Sequence, residues 1–137
     1  YSKRKSEDFD KLISALQREN GLEKLFEEQL WPNAKLWGYL WSGHDKNVMA
    51  DLGRAAVRTM PQSAVIECIK YGFQHFWGRR PGWPDLFVCN DVSYLFAEVK
   101  SALAHHHDKL SLSQMNWFRW AVDVAHLSCE IVRLQEG

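Results

Sequence analysis

An α/β domain is predicted, with helices in the first half of the chain and a small sheet in the second. Apolar residues recur at helical spacing up to about residue 72, and short runs rich in aromatic and β-branched residues follow. Two of these runs, residues 85–89 and 94–99, are separated by the turn signal Asn90-Asp91. They are expected to pair as an antiparallel hairpin at the centre of the fold.

Four helices are predicted before the hairpin from their apolar stripes and end signals. They are a first helix that starts at Ser6 or Asp8 and stops at Asn20-Gly21, a second that ends at Trp31-Pro32, a third over residues 45–58, and a fourth that starts at Pro61 and ends at Gly72. The aromatic segment around Trp37, Tyr39 and Trp41 has no clear period. We expect it to fill space between helices rather than to stack on unpaired bases.

Three further elements complete the predicted fold. Residues 73–77 are expected to form a strand that leads into the loop Gly78-Arg79-Arg80. A helix over residues 112–125 opens with a capping box, Ser111-x-x-Gln114, and residues 129–134 form a final strand. The stripe of this helix that is expected to pack on the sheet consists of Met115, Phe118, Val122 and Ala125, with Trp117 and Trp120 alongside.

Length and composition limit the number of domains and the kinds of partner. The 137 residues suffice for a helical lead-in over residues 1–60 and a core over residues 61–137. Seventeen basic and seventeen acidic residues give zero net charge, which argues against indiscriminate binding of polyanions. No apolar run is long enough to span a membrane. The three cysteines form no disulfide or zinc pattern, which is typical of buried thiols in a reducing, intracellular compartment.

Three charged residues of the hairpin carry the main functional signal. Asp85 opens the first strand, and Glu98 and Lys100 lie two residues apart on the second, so their side chains project from one face. Antiparallel pairing can bring Asp85 to the same end of the hairpin. Mg²⁺ is typically held by one or two carboxylates, phosphate oxygens and water, so this set suits metal-assisted phosphodiester cleavage. Lys100 can orient water or neutralise phosphate charge, and the Val99 carbonyl is a further candidate ligand.

The same residues have a simpler interpretation, because Pro-Asp often starts a turn and a Glu-x-Lys pair is often a solvated strand edge. The neighbouring residues of both runs are apolar, which predicts strands buried on both faces. Unpaired charges are costly in such a place, so the apolar neighbours favour a functional site.

The spacing of these residues resembles a known nuclease motif. Pro84-Asp85, a gap and Glu98-Val99-Lys100 are similar to the PD-(D/E)XK motif. The flanking sequences narrow the resemblance to the VRR-NUC branch, and most closely to the C-terminal nuclease domain of the Fanconi-associated nucleases. These flanks are Gly82-Trp83 before the motif, and Asp108-Lys109-Leu110-Ser111 with Gln114 after it. The resemblance covers residues 79–134 and implies a restriction-endonuclease-like core, a mixed sheet flanked by helices.

The resemblance also implies an activity. The chain would be a metal-dependent, structure-selective nuclease that hydrolyses phosphodiester bonds of branched or 5′-flapped DNA in the repair of interstrand crosslinks. Asp85, Glu98 and the Val99 carbonyl would hold Mg²⁺ or Mn²⁺, and Lys100 would assist the attacking water. It would act where DNA is found, in the nucleus of a eukaryote or the nucleoid of a bacterium. Lys100→Ala is expected to abolish cleavage and to leave folding nearly intact.

Several further residues have two interpretations each. Gln114 either caps its helix or, as in the resembling family, lies near the active site. Arg79, Arg80 and Lys109 are candidate contacts to DNA phosphates, although exposed loop residues of this kind are common. The run 105–107, three histidines, is expected to be a mobile loop near DNA rather than a ligand set, because consecutive residues cannot easily all face one ion.

One expected ligand has no obvious position in the sequence. Nucleases of the resembling kind usually add a glutamate from a helix before the first strand. Glu67 is the best candidate within the chain, but the resemblance of the lead-in favours a residue upstream of Tyr1. Two other functions are therefore considered: a nuclease-like DNA-binding module without catalysis, and a standalone VRR-NUC junction resolvase that works as a dimer.

Overall fold

Helices form the first of two compact units, Tyr1–Gln62, in the computed structural model of the chain. The structure describes residues 2–34, 43–74, 76–79, 81–101 and 108–135, so the predicted aromatic segment around Trp37 lies outside the described residues. The helices of this unit are α1 (Ser2–Leu16), α2 (Gly21–Leu25), a π-helix (Phe26–Leu30), α3 (Trp31–Ala34) and α4 (Lys46–Thr59). Its buried residues are Leu16, Gly21, Leu22, Leu25 and Ala50 among those described.

Helix α4 confirms the third predicted helix, and its start has a clear physical cause. Asp45 is the N-cap residue, and its side chain accepts hydrogen bonds from the backbone N–H groups of Asn47 at 2.7 Å and Val48 at 3.2 Å. These bonds satisfy donors that have no partner inside the helix. The start of α1 was predicted less well, because the helix begins at Ser2 and includes both Ser6 and Asp8.

The prediction that the second helix ends at Trp31-Pro32 is wrong, because the helical path continues through a π-helix to Ala34. A proline ring clashes with the carbonyl four residues before it, which for Pro32 belongs to Glu28. Glu28 lies inside the π-helix, whose wider turn displaces that carbonyl. The proline therefore changes the helix type instead of ending the helix.

The second unit, Ser63–Gly137, contains the sheet. Its elements are α5 (Gln62–Gln74, which begins at the boundary residue), α6 (Phe76–Arg79), β1 (Leu86–Cys89), β2 (Tyr94–Ser101), α7 (Leu112–Asp123) and β3 (Cys129–Leu134). The strand order is β1-β2-β3, with β1 antiparallel and β3 parallel to β2. The predicted α/β class and the mixed sheet flanked by helices are confirmed.

Asn90 determines the turn of the hairpin. Its side-chain oxygen accepts hydrogen bonds from the backbone N–H groups of Val92 and Ser93, at 2.9 and 2.8 Å. The turn starts a register in which Leu86 lies opposite Ala97 and Cys89 opposite Tyr94.

The predicted strand over residues 73–77 is wrong. Helix α5 continues through Gly72 to Gln74, and the short α6 follows from Phe76. Aromatic residues favour strands only where a pleated neighbour is available to pack against. The sheet described here has no strand in that position, and Tyr71 of α5 instead stacks on Trp120 of α7, with ring centroids 4.1 Å apart.

Helix α7 packs on the sheet with a different face from the one predicted. Trp117 and Ala121 are completely buried, whereas Met115 and Val122 remain 44 and 54% exposed. Trp117 contacts Phe96 of β2, with ring centroids 5.5 Å apart. A buried tryptophan removes far more apolar surface from water than a methionine or a valine, so the tryptophan face is inward.

We predict that Gly72→Ala raises the free energy of unfolding by roughly 0.5–1 kcal/mol, because glycine is unfavourable inside a helix. Gly72 has no positive φ, and a methyl group there would meet no atom within 4 Å. Urea denaturation measures the change. As a control, Gly21→Ala should destabilise, since its Cβ would lie 2.3 Å from the Ala15 carbonyl oxygen. A loss of stability in Gly72→Ala would contradict the continuation of α5.

Candidate active site

Glu98 and Lys100 form a buried ion pair on β2. Their side chains project from the same face of the strand, the residues are only 1 and 7% exposed, and Lys100 Nζ lies 2.9 Å from Glu98 Oε1. Two charges withdrawn from water are tolerated only when they are paired and hydrogen-bonded. The prediction that both strands of the hairpin are buried on both faces holds only for β2, which is buried or half-buried along its length. It is wrong for β1, where Leu86 and Val88 remain 50% exposed, because one face of that strand is left open to solvent.

Asp85 lies at the same end of the hairpin. Because Leu86 pairs with Ala97, one more step of the antiparallel register places Asp85 opposite Glu98, on the same face of the sheet. Asp85 Oδ2 accepts a hydrogen bond from the backbone N–H of Val99 at 3.0 Å. Asp85 is exposed, in contrast to Glu98, so the pair of carboxylates spans the boundary between the protein interior and solvent.

The peptide group of Val99 faces Asp85. The N–H of Phe96 points towards β3, because it donates to the carbonyl of Ser128 beside that strand. Successive N–H groups along a strand point in opposite directions. The N–H of Val99, three residues later, therefore points away from β3 and towards β1. Two further steps of the β1 register would place Pro84 opposite Val99, and proline has no N–H to offer. Pro84 therefore cannot donate to the Val99 carbonyl, which points to the same side as the Val99 N–H, and the N–H itself donates to the Asp85 carboxylate.

Gln114 contributes both to the helix cap and to the charged cluster, which consists of Asp85, Glu98, Lys100 and Asp108. Its side-chain oxygen accepts hydrogen bonds from Ser111 N–H and from Lys100 Nζ, each at 3.0 Å. Its side-chain nitrogen donates to Glu98 Oε1, and its backbone N–H donates to the Ser111 hydroxyl at 3.2 Å. Both positions considered from the sequence are therefore combined in one residue. The same amide group closes the capping box of α7 and bonds to both members of the ion pair.

Acidic neighbours determine the charge state of Lys100. Its hydrogen bond to Glu98 raises the pKa of the Lys100 ammonium above its usual value, and the negative charges of Glu98, Asp108 and Asp85 act in the same direction. Asp108 Oδ1 lies 3.8 Å from Lys100 Nζ. Lys100 is therefore a cation throughout the neutral pH range and donates hydrogen bonds rather than accepting protons.

Gly82 allows the loop before Asp85 to approach α7. Its φ is +95°, a left-handed conformation, and a Cβ at this position would lie 2.4 Å from the Ser113 carbonyl oxygen. Sequence reasoning used Gly82 only as a flank of the motif. The position of Gly82, three residues before the motif residue Asp85, was the feature of the sequence that could have indicated a close approach of the backbone to another element.

Of the three predicted contacts to DNA phosphates, Arg79 is bound to neighbouring side chains, Lys109 is exposed to solvent, and Arg80 is not described. The Arg79 guanidinium lies 4.4 Å from the ring centroid of Tyr71 and donates to Gln74 Oε1 at 3.1 Å, so it is engaged locally. Lys109 is exposed, next to Asp108. Arg80 and residues 105–107 lie outside the described residues.

The donor atoms fit a hard cation such as Mg²⁺, which prefers oxygen ligands. Glu98 Oε2 is buried and has no hydrogen-bond partner, Asp85 is accessible, and the Val99 carbonyl faces the same side. Within the described ranges, however, no three His, Cys, Asp or Glu side chains gather in a way that could hold a metal. Glu67 therefore does not join Asp85 and Glu98; it pairs with Lys70 at 3.5 Å.

The fold and the charged cluster define a nuclease-type α/β domain. A family model described as the VRR-NUC domain matches residues 17–124, which is more than half of the chain, and all the cluster residues fall within the match. The chain belongs to the VRR-NUC family, whose members are nuclease-type DNA-processing domains. No curated protein matches the chain, and no solved structure does. None of the helices described has the length and apolar character that crossing a membrane requires.

We predict that Gly82→Ala lowers the free energy of unfolding by about 1–3 kcal/mol, because it adds backbone strain and a clash with Ser113. Urea denaturation measures this loss. The matched control is Gly43→Ala, which has φ +78° but open space around the added methyl group, and it should cost only about 1 kcal/mol. Equal losses in the two variants would contradict the close approach to α7.

The buried ion pair changes the expectation that loss of Lys100 leaves folding nearly intact. We predict that Lys100→Met lowers the midpoint of urea unfolding, because the buried Glu98 carboxylate then loses its ion-pair partner and keeps only Gln114 as a donor. Adding Glu98→Gln to this variant should recover part of the loss, since the uncompensated charge is removed. The exposed Lys109→Met is the control. An unchanged midpoint in Lys100→Met would mean that the pair is not buried in solution.

Proposed function

We propose that the chain is a divalent-metal-dependent nuclease that hydrolyses phosphodiester bonds of branched or 5′-flapped DNA. The observation that carries the proposal is the convergence of Asp85, Glu98 and Lys100 at one end of one sheet face. Two carboxylates and an ammonium in a half-buried site can hold a divalent cation and stabilise the negative charge on a phosphate. Burying such a pair also costs free energy that an apolar pair of similar size would not.

Asp85 and Glu98 are the residues that would hold Mg²⁺ or Mn²⁺, with the Val99 carbonyl as a further oxygen ligand. When bound, the ion would lower the pKa of water and withdraw charge from the phosphate. Glu98 supports this role through its free Oε2 atom, because Oε1 is already engaged by Lys100 and Gln114. The hydrogen bond from Val99 N–H holds Asp85 in place at the solvent side.

Lys100 would act as a hydrogen-bond donor and a fixed positive charge. Since the acidic neighbours raise its pKa, it orients the attacking water or stabilises the additional negative charge on the phosphate, and it does not serve as the base. Attack by water forms one P–O bond and breaks another, and the leaving oxygen takes up a proton. Gln114 holds the Lys100 ammonium in position through its side-chain oxygen.

DNA would contact the cluster through phosphates rather than bases. The chemistry addresses the backbone, so these residues alone give no sequence preference. Lys109 is exposed and is our proposed phosphate contact, with Arg80 as a second candidate from the sequence. Arg79 is a weaker candidate, because its guanidinium packs on Tyr71 and would lose that contact on turning towards DNA.

The finer assignments follow from the resemblance of the motif to the Fanconi-associated nucleases. They are a preference for 5′ flaps, a role in repair of interstrand crosslinks, and action in the nucleus or nucleoid. We also propose that residues 61–137 form the nuclease core and residues 1–60 a helical lead-in, although the family match begins at residue 17.

A second candidate function is binding of DNA without cleavage. It is favoured by one observation: among the described residues no three His, Cys, Asp or Glu side chains gather in a way that could hold a metal, and Glu98 is paired with Lys100. Cleavage produces a shorter labelled strand and binding does not, so one assay with matched variants distinguishes the two functions.

We predict that the wild-type chain cuts an end-labelled 5′-flap duplex in the presence of Mn²⁺, that EDTA stops the reaction, and that Asp85→Asn slows it by about 100-fold or more. Asparagine retains an oxygen that can accept from Val99 N–H, so the loss reports the charge and not the fold. The matched control is Asp91→Asn, a carboxylate in the turn at the other end of the hairpin, which should cut at the wild-type rate.

Three results would be informative in different ways. Cutting by the wild type and Asp91→Asn alone supports the nuclease. Equal cutting by Asp85→Asn overturns the assigned ligand. Binding of the duplex is measured by gel shift in the same samples. If the duplex binds in a metal-dependent way but is not cut, the result favours the binding module over the nuclease.

A further inference from the structure

Two buried polar atoms of the described residues have no hydrogen-bond partner, and they lie in the same part of the fold. One is Oε2 of Glu98, and the other is the indole nitrogen Nε1 of Trp117. Both residues are almost completely shielded from solvent, at 1 and 0% exposure. Buried polar groups are nearly always satisfied in native proteins, so two such exceptions require an explanation.

Contacts of their neighbours place both residues between β2 and α7. Glu98 lies two residues after Phe96 on the same face of β2, and Trp117 lies one turn after Gln114 on the same face of α7. Gln114 donates to Glu98, and the Trp117 ring contacts that of Phe96 with centroids 5.5 Å apart. Because both ends of this four-residue arrangement are in contact, Trp117 and Glu98 lie at its diagonal corners, between the same strand and the same helix.

The chemistry of the two atoms is complementary. The indole nitrogen can only donate a hydrogen bond, and a carboxylate oxygen can only accept one. We propose that Trp117 is a positioning residue for Glu98, and that the indole N–H of Trp117 is linked to Glu98 Oε2 across a single ordered water. Oε1 is bound by Lys100 and Gln114, so the link to Trp117 fixes the rotation of the whole carboxylate.

This inference rests on the proposed function, in which Glu98 binds a divalent cation. A carboxylate oxygen has two lone pairs, so Oε2 can accept from the bridging water and still present a lone pair to the cation. Partners that orient a ligand in this way commonly contribute 10–100-fold to metal affinity. Trp117 is well suited to the task because the rings of Phe96, Trp83, Phe118 and Trp120 surround it, with centroids 5.2–5.9 Å away.

The first test uses Glu98→Gln and requires no metal. Lys100 Nζ and Gln114 Nε2 are both donors at Oε1, so the amide oxygen of Gln must face them and its NH₂ group must face Trp117. The variant thus replaces the acceptor of the link to Trp117 by a donor. In ¹⁵N-resolved NMR spectra we expect the Trp117 indole proton to move upfield and to exchange with solvent about tenfold faster or more, the factor for one hydrogen bond to a charged group.

The second test compares two tryptophan variants by calorimetric titration with Mg²⁺. Trp117→Phe keeps an aromatic ring but removes the N–H, and we expect Mg²⁺ to bind about 10–100-fold more weakly. Trp120→Phe is the matched control, since it removes an indole from the same aromatic cluster without touching Glu98, and it should bind Mg²⁺ as the wild type does.

The outcomes separate the inference from the function it rests on. An unchanged Trp117 indole proton in Glu98→Gln, or equal weakening of Mg²⁺ binding in both tryptophan variants, overturns the positioning role. If the wild type binds no Mg²⁺ but Glu98→Gln still alters the indole proton, the link stands and the proposed metal role fails. If Trp117→Phe does not fold, the indole measurement in the wild type and Glu98→Gln decides alone.

Discussion

The buried ion pair between Glu98 and Lys100 is the constraint on which the second unit depends. Removing two charges from water is costly, and the cost is tolerable only because each charge has fixed partners. Gln114 supplies one further hydrogen bond to each member of the pair. Strand β2, the start of α7 and the loop before β1 must therefore keep their relative positions for the unit to remain stable.

Stability and the candidate chemistry share the same atoms in this unit. The amide of Gln114 closes the capping box with Ser111, and it also holds the ion pair. Gly82 allows the loop that carries Asp85 to lie against the first turn of α7. A change that weakens the helix start would consequently disturb the charged cluster, and the reverse also holds. This sharing explains why a substitution at Lys100 cannot be interpreted as a purely catalytic change.

Zero net charge is compatible with a domain that processes DNA, because the charges are distributed unevenly. The cluster combines the carboxylates of Asp85, Glu98 and Asp108 with a single ammonium, so it carries a net negative charge. A divalent cation would reverse that sign and allow a phosphate to approach. The membership of the VRR-NUC family agrees with this arrangement, since its match to residues 17–124 contains the entire cluster.

The sequence alone determined the features that depend on neighbouring residues along the chain. The hairpin turn at Asn90, the alternation that puts Glu98 and Lys100 on one face, and the capping box of α7 are all local, and each was predicted. Local patterns also led to errors. Residues 73–77 have strand-like composition but form helices, and Pro32 sits inside a helical path instead of ending it.

Only the tertiary structure decided which face of α7 is buried and where Gln114 points. Two apolar faces compete in that helix, and the choice depends on the surface each one buries against the sheet, which no local pattern contains. Burial of Trp117 rotates Gln114 towards Glu98 and Lys100, so this residue both closes the helix cap and bonds to the ion pair. The physical reason is that a buried charge selects its partners from whatever the packing brings within hydrogen-bond distance, and packing is a property of the whole unit.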